Sequence, residues 1–72
     1  MRVTFDRGGN TAYIYLKDIE PRESARQHRV DEPHTQGMIV LDFDKKGRLI
    51  GIEVLDATRA LPQEVLDSAE RT

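Results

Sequence analysis

The sequence predicts an α+β fold, an antiparallel β-meander of four to five strands with a C-terminal helix packed on the sheet. Three observations carry this expectation. Short runs of alternating apolar residues recur through the first 55 positions, clusters of turn residues separate them, and one stretch of helical periodicity closes the chain. At 72 residues, 1–72 is one domain with one small core. A core of this size supplies about 3–5 kcal/mol before any further fastening. The absence of cysteine removes disulfides and thiolate zinc sites from the list of fasteners.

The strands are expected near residues 2–6, 11–17, 24–30, 38–44 and 48–55, and the helix near 62–70. In the first, Val3 and Phe5 share a side, and the run stops at the turn cluster Arg7-Gly8-Gly9-Asn10. In the second, Ala12, Ile14 and Leu16 alternate with Thr11, Tyr13, Tyr15 and Lys17. Pro21 breaks the pattern. The nearly all-polar stretch that follows suits a short edge strand, whose Arg26, His28 and Arg29 discourage pairing with other molecules.

The best hairpin signal is Asp44-Lys45-Lys46-Gly47, where Asp opens a turn and Gly takes the left-handed position that closes it. With a four-residue loop, Leu41 opposes Ile50 and Ile39 opposes Ile52. One face then reads Ile39, Leu41, Phe43, Ile50, Ile52 and Val54. The other reads Met38, Val40, Asp42, Leu49, Gly51, Glu53 and Leu55. Asp56 is placed to cap a helical turn, and Pro62 suits the first turn of a helix whose Leu61, Val65, Leu66 and Ala69 form one stripe. A single helix leaves the second sheet face open, and Tyr13, Tyr15 and several aliphatics fall there. Exposed apolar surface of this kind marks an interaction site, so a homodimer is expected.

These residues also resemble a known family. Phe5-Asp6, Thr11-Ala12-Tyr13-Ile14-Tyr15-Leu16, Glu23-Ser24, and above all the run from Asp42 to Ala57 are similar to the small prokaryotic family called domain of unknown function 2283. The likeness covers residues 1 to about 61. It implies a fold and a size class, and no catalytic residue. The chain departs from the family pattern at the Arg7-Gly8-Gly9-Asn10 turn and in the segment from Arg26 to His34.

Candidate chemistry is sparse. Asp42, Asp44, Glu53 and Asp56 are the notable carboxylates, but Asp44 and Asp56 have turn and cap roles, and in the four-residue-loop register Asp42 and Glu53 diverge along the hairpin. His28 and His34, with Glu23, Asp31 and Glu32 nearby, are the metal candidates. Their spacing matches no common ligand pattern, and two histidines in a polar segment of alternating charge are most often just solvated. Gly8-Gly9 and Gly47 lack the strand-to-helix context of a phosphate loop. Arg22, Arg26, His28 and Arg29 form the only basic cluster, without interleaved aromatics and followed by Asp31-Glu32.

A formal net charge of −2 with both signs mixed supplies no field to hold a polyanion, so no nucleic acid is expected. The first residues show no apolar signal-like run, no stretch is long enough for a membrane span, and a soluble cytoplasmic protein is expected. The expected function is therefore a non-enzymatic homodimeric binding module without a cofactor. Its interaction residues are Tyr13, Tyr15, Arg22, Arg26, Arg29, Met38, Val40 and Leu49, and a second small protein is the alternative partner to a further copy. The competing function is a metal- or small-ligand-binding protein using His28, His34 and nearby carboxylates.

Overall fold

The computed structural model describes residues 1–32 and 36–72. Strands β1 (Arg2–Asp6) and β2 (Thr11–Tyr15) form an antiparallel hairpin with Val3 opposite Ile14 and Phe5 opposite Ala12. Then come β3 (Arg26–Arg29), β4 (Met38–Phe43) and β5 (Leu49–Leu55). Two short helices, α1 (Ala57–Ala60) and α2 (Gln63–Ser68), lead into β6 (Glu70–Arg71).

The sheet has six strands in the order β3-β4-β5-β2-β1-β6 and is antiparallel except where β6 runs parallel to β1. It is therefore not a simple meander. β2 pairs with β5, with Ile14 opposite Ile52, and the chain then crosses the strand ends to return as β3 on the far side of β4. The arrangement follows from side-chain chemistry. β5 is apolar enough on both faces for the interior of the sheet, whereas the four exposed residues of β3 suit only an edge. Backbone hydrogen bonds from Ala25 to Phe43 (2.9 Å) and from Val30 to Ile39 (2.8 Å) continue the β3–β4 ladder towards the expected limits of 24–30.

The β4–β5 turn forms where expected, but the register differs. Gly47 is left-handed (φ +78°), and the Asp44 N–H donates to the Arg48 carbonyl at 2.9 Å, so the loop has three residues. A bulge then shifts the pairing once more, placing Phe43 opposite Leu49 but Leu41 opposite Ile52. Two single-residue shifts restore the parity, and the faces keep their members apart from Leu49. That residue sits in the Arg26–Phe43 row on the helix side, away from Met38 and Val40.

The C-terminal helix is shorter than expected. It stops at Ser68, with Pro62 in the cap position (ψ 146°), and Ala69 turns extended so that Glu70 and Arg71 can pair with β1. Asp56 does not cap α1. It is left-handed (φ 56°) and makes no side-chain cap bond. Asn10, on the β1–β2 turn, does the work instead: its carbonyl accepts the Ala57 N–H at 3.0 Å and its Oδ1 accepts the Thr58 N–H at 3.1 Å.

The core lies where the helices meet the sheet. Phe5, Ala12 and Val54 form one cross-strand row beneath Ala57 and Leu66, with Val54 1% and Leu66 2% exposed. The helices are too short to cover the next row. Val3, Ile14, Ile52 and Leu41 are opposite one another across four strands, and all are only half-buried. Leu16, beyond them, is 38% exposed.

Candidate interaction face

The face away from the helices carries a band of polar and aromatic side chains. Arg2 and Tyr15 are cross-strand partners, and the guanidinium carbon stands 4.2 Å from the Tyr15 ring centre. Arg2 also reaches Glu70 at 3.6 Å. Tyr15 and Tyr13, two apart on β2, have ring centres 4.6 Å apart at an interplanar angle of 53°. The Tyr13 hydroxyl donates to Asp42 Oδ2, and the Ser24 hydroxyl donates to Asp42 Oδ1 at 3.0 Å.

The band therefore runs from β6 across β1 and β2, over β5, to β4 and the loop before β3. It crosses β5 at Gly51, where a Cβ would stand 2.7 Å from the Tyr13 ring. Only glycine lets the ring lie flat on the strand at this point. Asp42 is 4% exposed. Burial first, and then the hydrogen bond to Asp42 and that carboxylate's charge, hold the Tyr13 hydroxyl well above the ordinary phenol range. Tyr13 is thus a fixed neutral donor.

The residues singled out from sequence divide by location. Tyr13, Tyr15, Arg29, Met38 and Val40 share this face, with Glu53 directly between Tyr13 and Val40. Arg26 lies on the helix side, where its guanidinium carbon is 5.2 Å from the Phe43 ring centre, and Leu49 shares its row. Arg22 is on the loop between β2 and β3, with φ +69°. The register also moves Asp42 and Glu53 closer than expected. Gly51 faces Asp42 and Val40 faces Glu53, so the two carboxylates are diagonal neighbours beside Tyr13 instead of four residues apart.

Ser24, Gly51 and Arg2 were not among the expected site residues. Gly51 was the available signal, because a glycine inside an apolar strand marks a close approach. Of the metal candidates, His28 is exposed on β3, and His34 lies outside the described residues. Among the described residues no group of three His, Cys, Asp or Glu side chains is placed to hold a metal. No helix among them is long and apolar enough to cross a membrane.

The fold and this face define a small α+β sheet protein with one half-covered apolar face and one polar-aromatic face. The chain belongs to the family described as Protein of unknown function (DUF2283), which it matches over residues 2–57. No curated protein and no solved structure matches the chain.

Proposed function

We propose that this protein is a soluble, cytoplasmic, non-enzymatic binding module that works as a homodimer, in which a second copy covers the open part of the helix-side face. The observation that carries this is the half-buried row of Val3, Ile14, Ile52 and Leu41 beside a core that the short helices cover at one end only. The accessible surface of 5152 Å² compares with about 4,500 Å² for a folded monomer of this mass. That excess is what a single-layer sheet leaves open.

Charge favours a second copy as the occupant. Arg26 and His28 flank the open row on the β3 side, while exposed Glu64 and Asp67 lie on α2, whose Leu66 and Asp67 stand beside Phe5 of β1 and Arg71 of the opposite edge strand β6. A twofold axis through the row lays each basic edge against the partner's acidic helix, the reciprocal pattern an isologous interface needs. The tyrosine face then points outward in both copies, and its Tyr13, Tyr15, Arg29, Met38 and Val40 would be the surface offered to a second small protein. The non-enzymatic part rests on Asp42, whose two oxygens accept Tyr13 and Ser24, and on Tyr13 being kept neutral.

The test is sedimentation equilibrium of the wild type and of Leu41→Glu. A dimer for the wild type, and a folded monomer by circular dichroism for the variant, is the expected result. A wild-type monomer at every concentration up to the millimolar range sinks the proposal.

A further inference from the structure

A second site lies at the end of the sheet remote from the helices, and it is independent of dimerisation. A cleft of about 360 Å³ separates the loop between β2 and β3 from the β4–β5 turn, lined by residues 21–23 and by 44–46 and 48. It brings together four cations, Arg22, Lys45, Lys46 and Arg48, and two carboxylates, Glu23 and Asp44.

Both carboxylates are already engaged within the chain. Glu23 pairs with Lys17 and accepts the Glu20 N–H at 2.9 Å. Asp44 Oδ1 accepts the N–H groups of Lys46 and Arg48, each at 2.9 Å, and Oδ2 accepts Arg48 Nε at 2.9 Å. These bonds hold both acids below the usual carboxylate range. Among the described residues Arg22, Lys45 and Lys46 have no carboxylate partner, and the Arg48 guanidinium is aimed by its one bond to Asp44. The cleft lining is therefore net positive, in a chain of net charge −2 that also carries Asp18 and Glu20 on the same loop.

Backbone geometry singles out Arg22. The Glu23 N–H donates to the Glu20 carbonyl at 3.0 Å, closing a turn with Pro21 and Arg22 at its centre, and Arg22 has φ +69°. That is the position of a type II turn where glycine or asparagine is normally found. An arginine there strains the backbone, and Glu23 locks the turn that holds it at the cleft. Strain kept beside unpaired cations points to a ligand.

We infer that this cleft binds a small phosphorylated molecule, with its phosphate oxygens held by Arg22, Lys45, Lys46 and the outer guanidinium nitrogens of Arg48. Guanidinium forks match phosphate geometry and lysines supply point charge, so the set suits a compact multivalent oxyanion.

The experiment is an amide NMR titration of the full chain with pyrophosphate, against sodium chloride at matched ionic strength. Saturable shifts confined to residues 20–23 and 44–48 are expected. The exposed double variant Lys45→Gln, Lys46→Gln is expected to bind about tenfold more weakly or worse. Arg22→Gly is the sharper variant, because relief of the left-handed strain should raise its melting temperature while pyrophosphate binding falls. Shifts that chloride reproduces, or that fail to saturate, overturn the inference. So does an Arg22→Gly protein that binds pyrophosphate as tightly as the wild type.

Discussion

The two faces of this sheet handle burial in opposite ways. On the tyrosine face the polar groups of the central band find partners within the chain: Arg2 lies over Tyr15, Tyr13 donates to Asp42, and Ser24 completes the carboxylate. On the helix side the apolar groups do not find enough cover, since α1 and α2 reach Phe5, Ala12 and Val54 but leave Val3, Ile14 and Leu41 half-open. The difference is one of range. A hydrogen bond is satisfied by one neighbour at one distance, whereas an apolar row needs continuous area, and helices of four and six residues do not provide it.

The comparison can be broken most forcefully at the small covered core. Leu66→Ala removes the side chain that seals it, with an expected loss of about 2–5 kcal/mol, comparable to the whole stability of a domain this size. Thermal melts followed by circular dichroism should show a largely unfolded protein at 37 °C. The tyrosine face should be less sensitive. Tyr13→Phe leaves buried Asp42 with Ser24 alone, at an expected cost of about 1–3 kcal/mol in urea unfolding at neutral pH, with no change in oligomeric state. Asn10→Ala removes the side-chain acceptor for Thr58 N–H and should cost about 1 kcal/mol, with Asn10→Gly milder because Asn10 is left-handed.

The smallest effect is on pH. Asp44 is held below its ordinary value by hydrogen bonds from the Arg48 backbone, the Arg48 side chain and the Lys46 backbone. Its contribution is therefore fully present above the unfolded carboxylate range near pH 4, and is lost as pH falls through the lower folded value. Tyr13, raised, acts with the opposite sign: its contribution is complete below about pH 10 and is lost above that. Asp44→Asn should flatten the acid limb of a stability-against-pH curve and leave the alkaline limb unchanged.

Much of this was legible in the residues. Strand positions and, apart from Leu49, face membership followed from alternation, and the β4–β5 turn followed from Asp44 and Gly47. The register did not, because the bulge at Ile50 leaves no compositional mark, and without it Asp42 could not be placed beside Tyr13 and Glu53. β6 was hidden as well, since two polar residues have no periodicity and pair only because Ala69 turns the chain towards β1. The apolar row was visible in sequence. Its incomplete cover was not, because that depends on the helix ending at Ser68 and on where it docks. The open apolar surface was accordingly expected beside Tyr13 and Tyr15, and the structure puts its larger part on the helix side.

The central claim is that a second copy covers the helix-side row, and isotope-filtered NOE spectroscopy on an equimolar mixture of labelled and unlabelled protein tests it most directly. Intermolecular contacts from the methyl groups of Ile14, Leu41 and Ile52 are the predicted result, with none from the Tyr13 ring. Contacts confined to Tyr13, Met38 and Val40, or no intermolecular contacts at all, would contradict it.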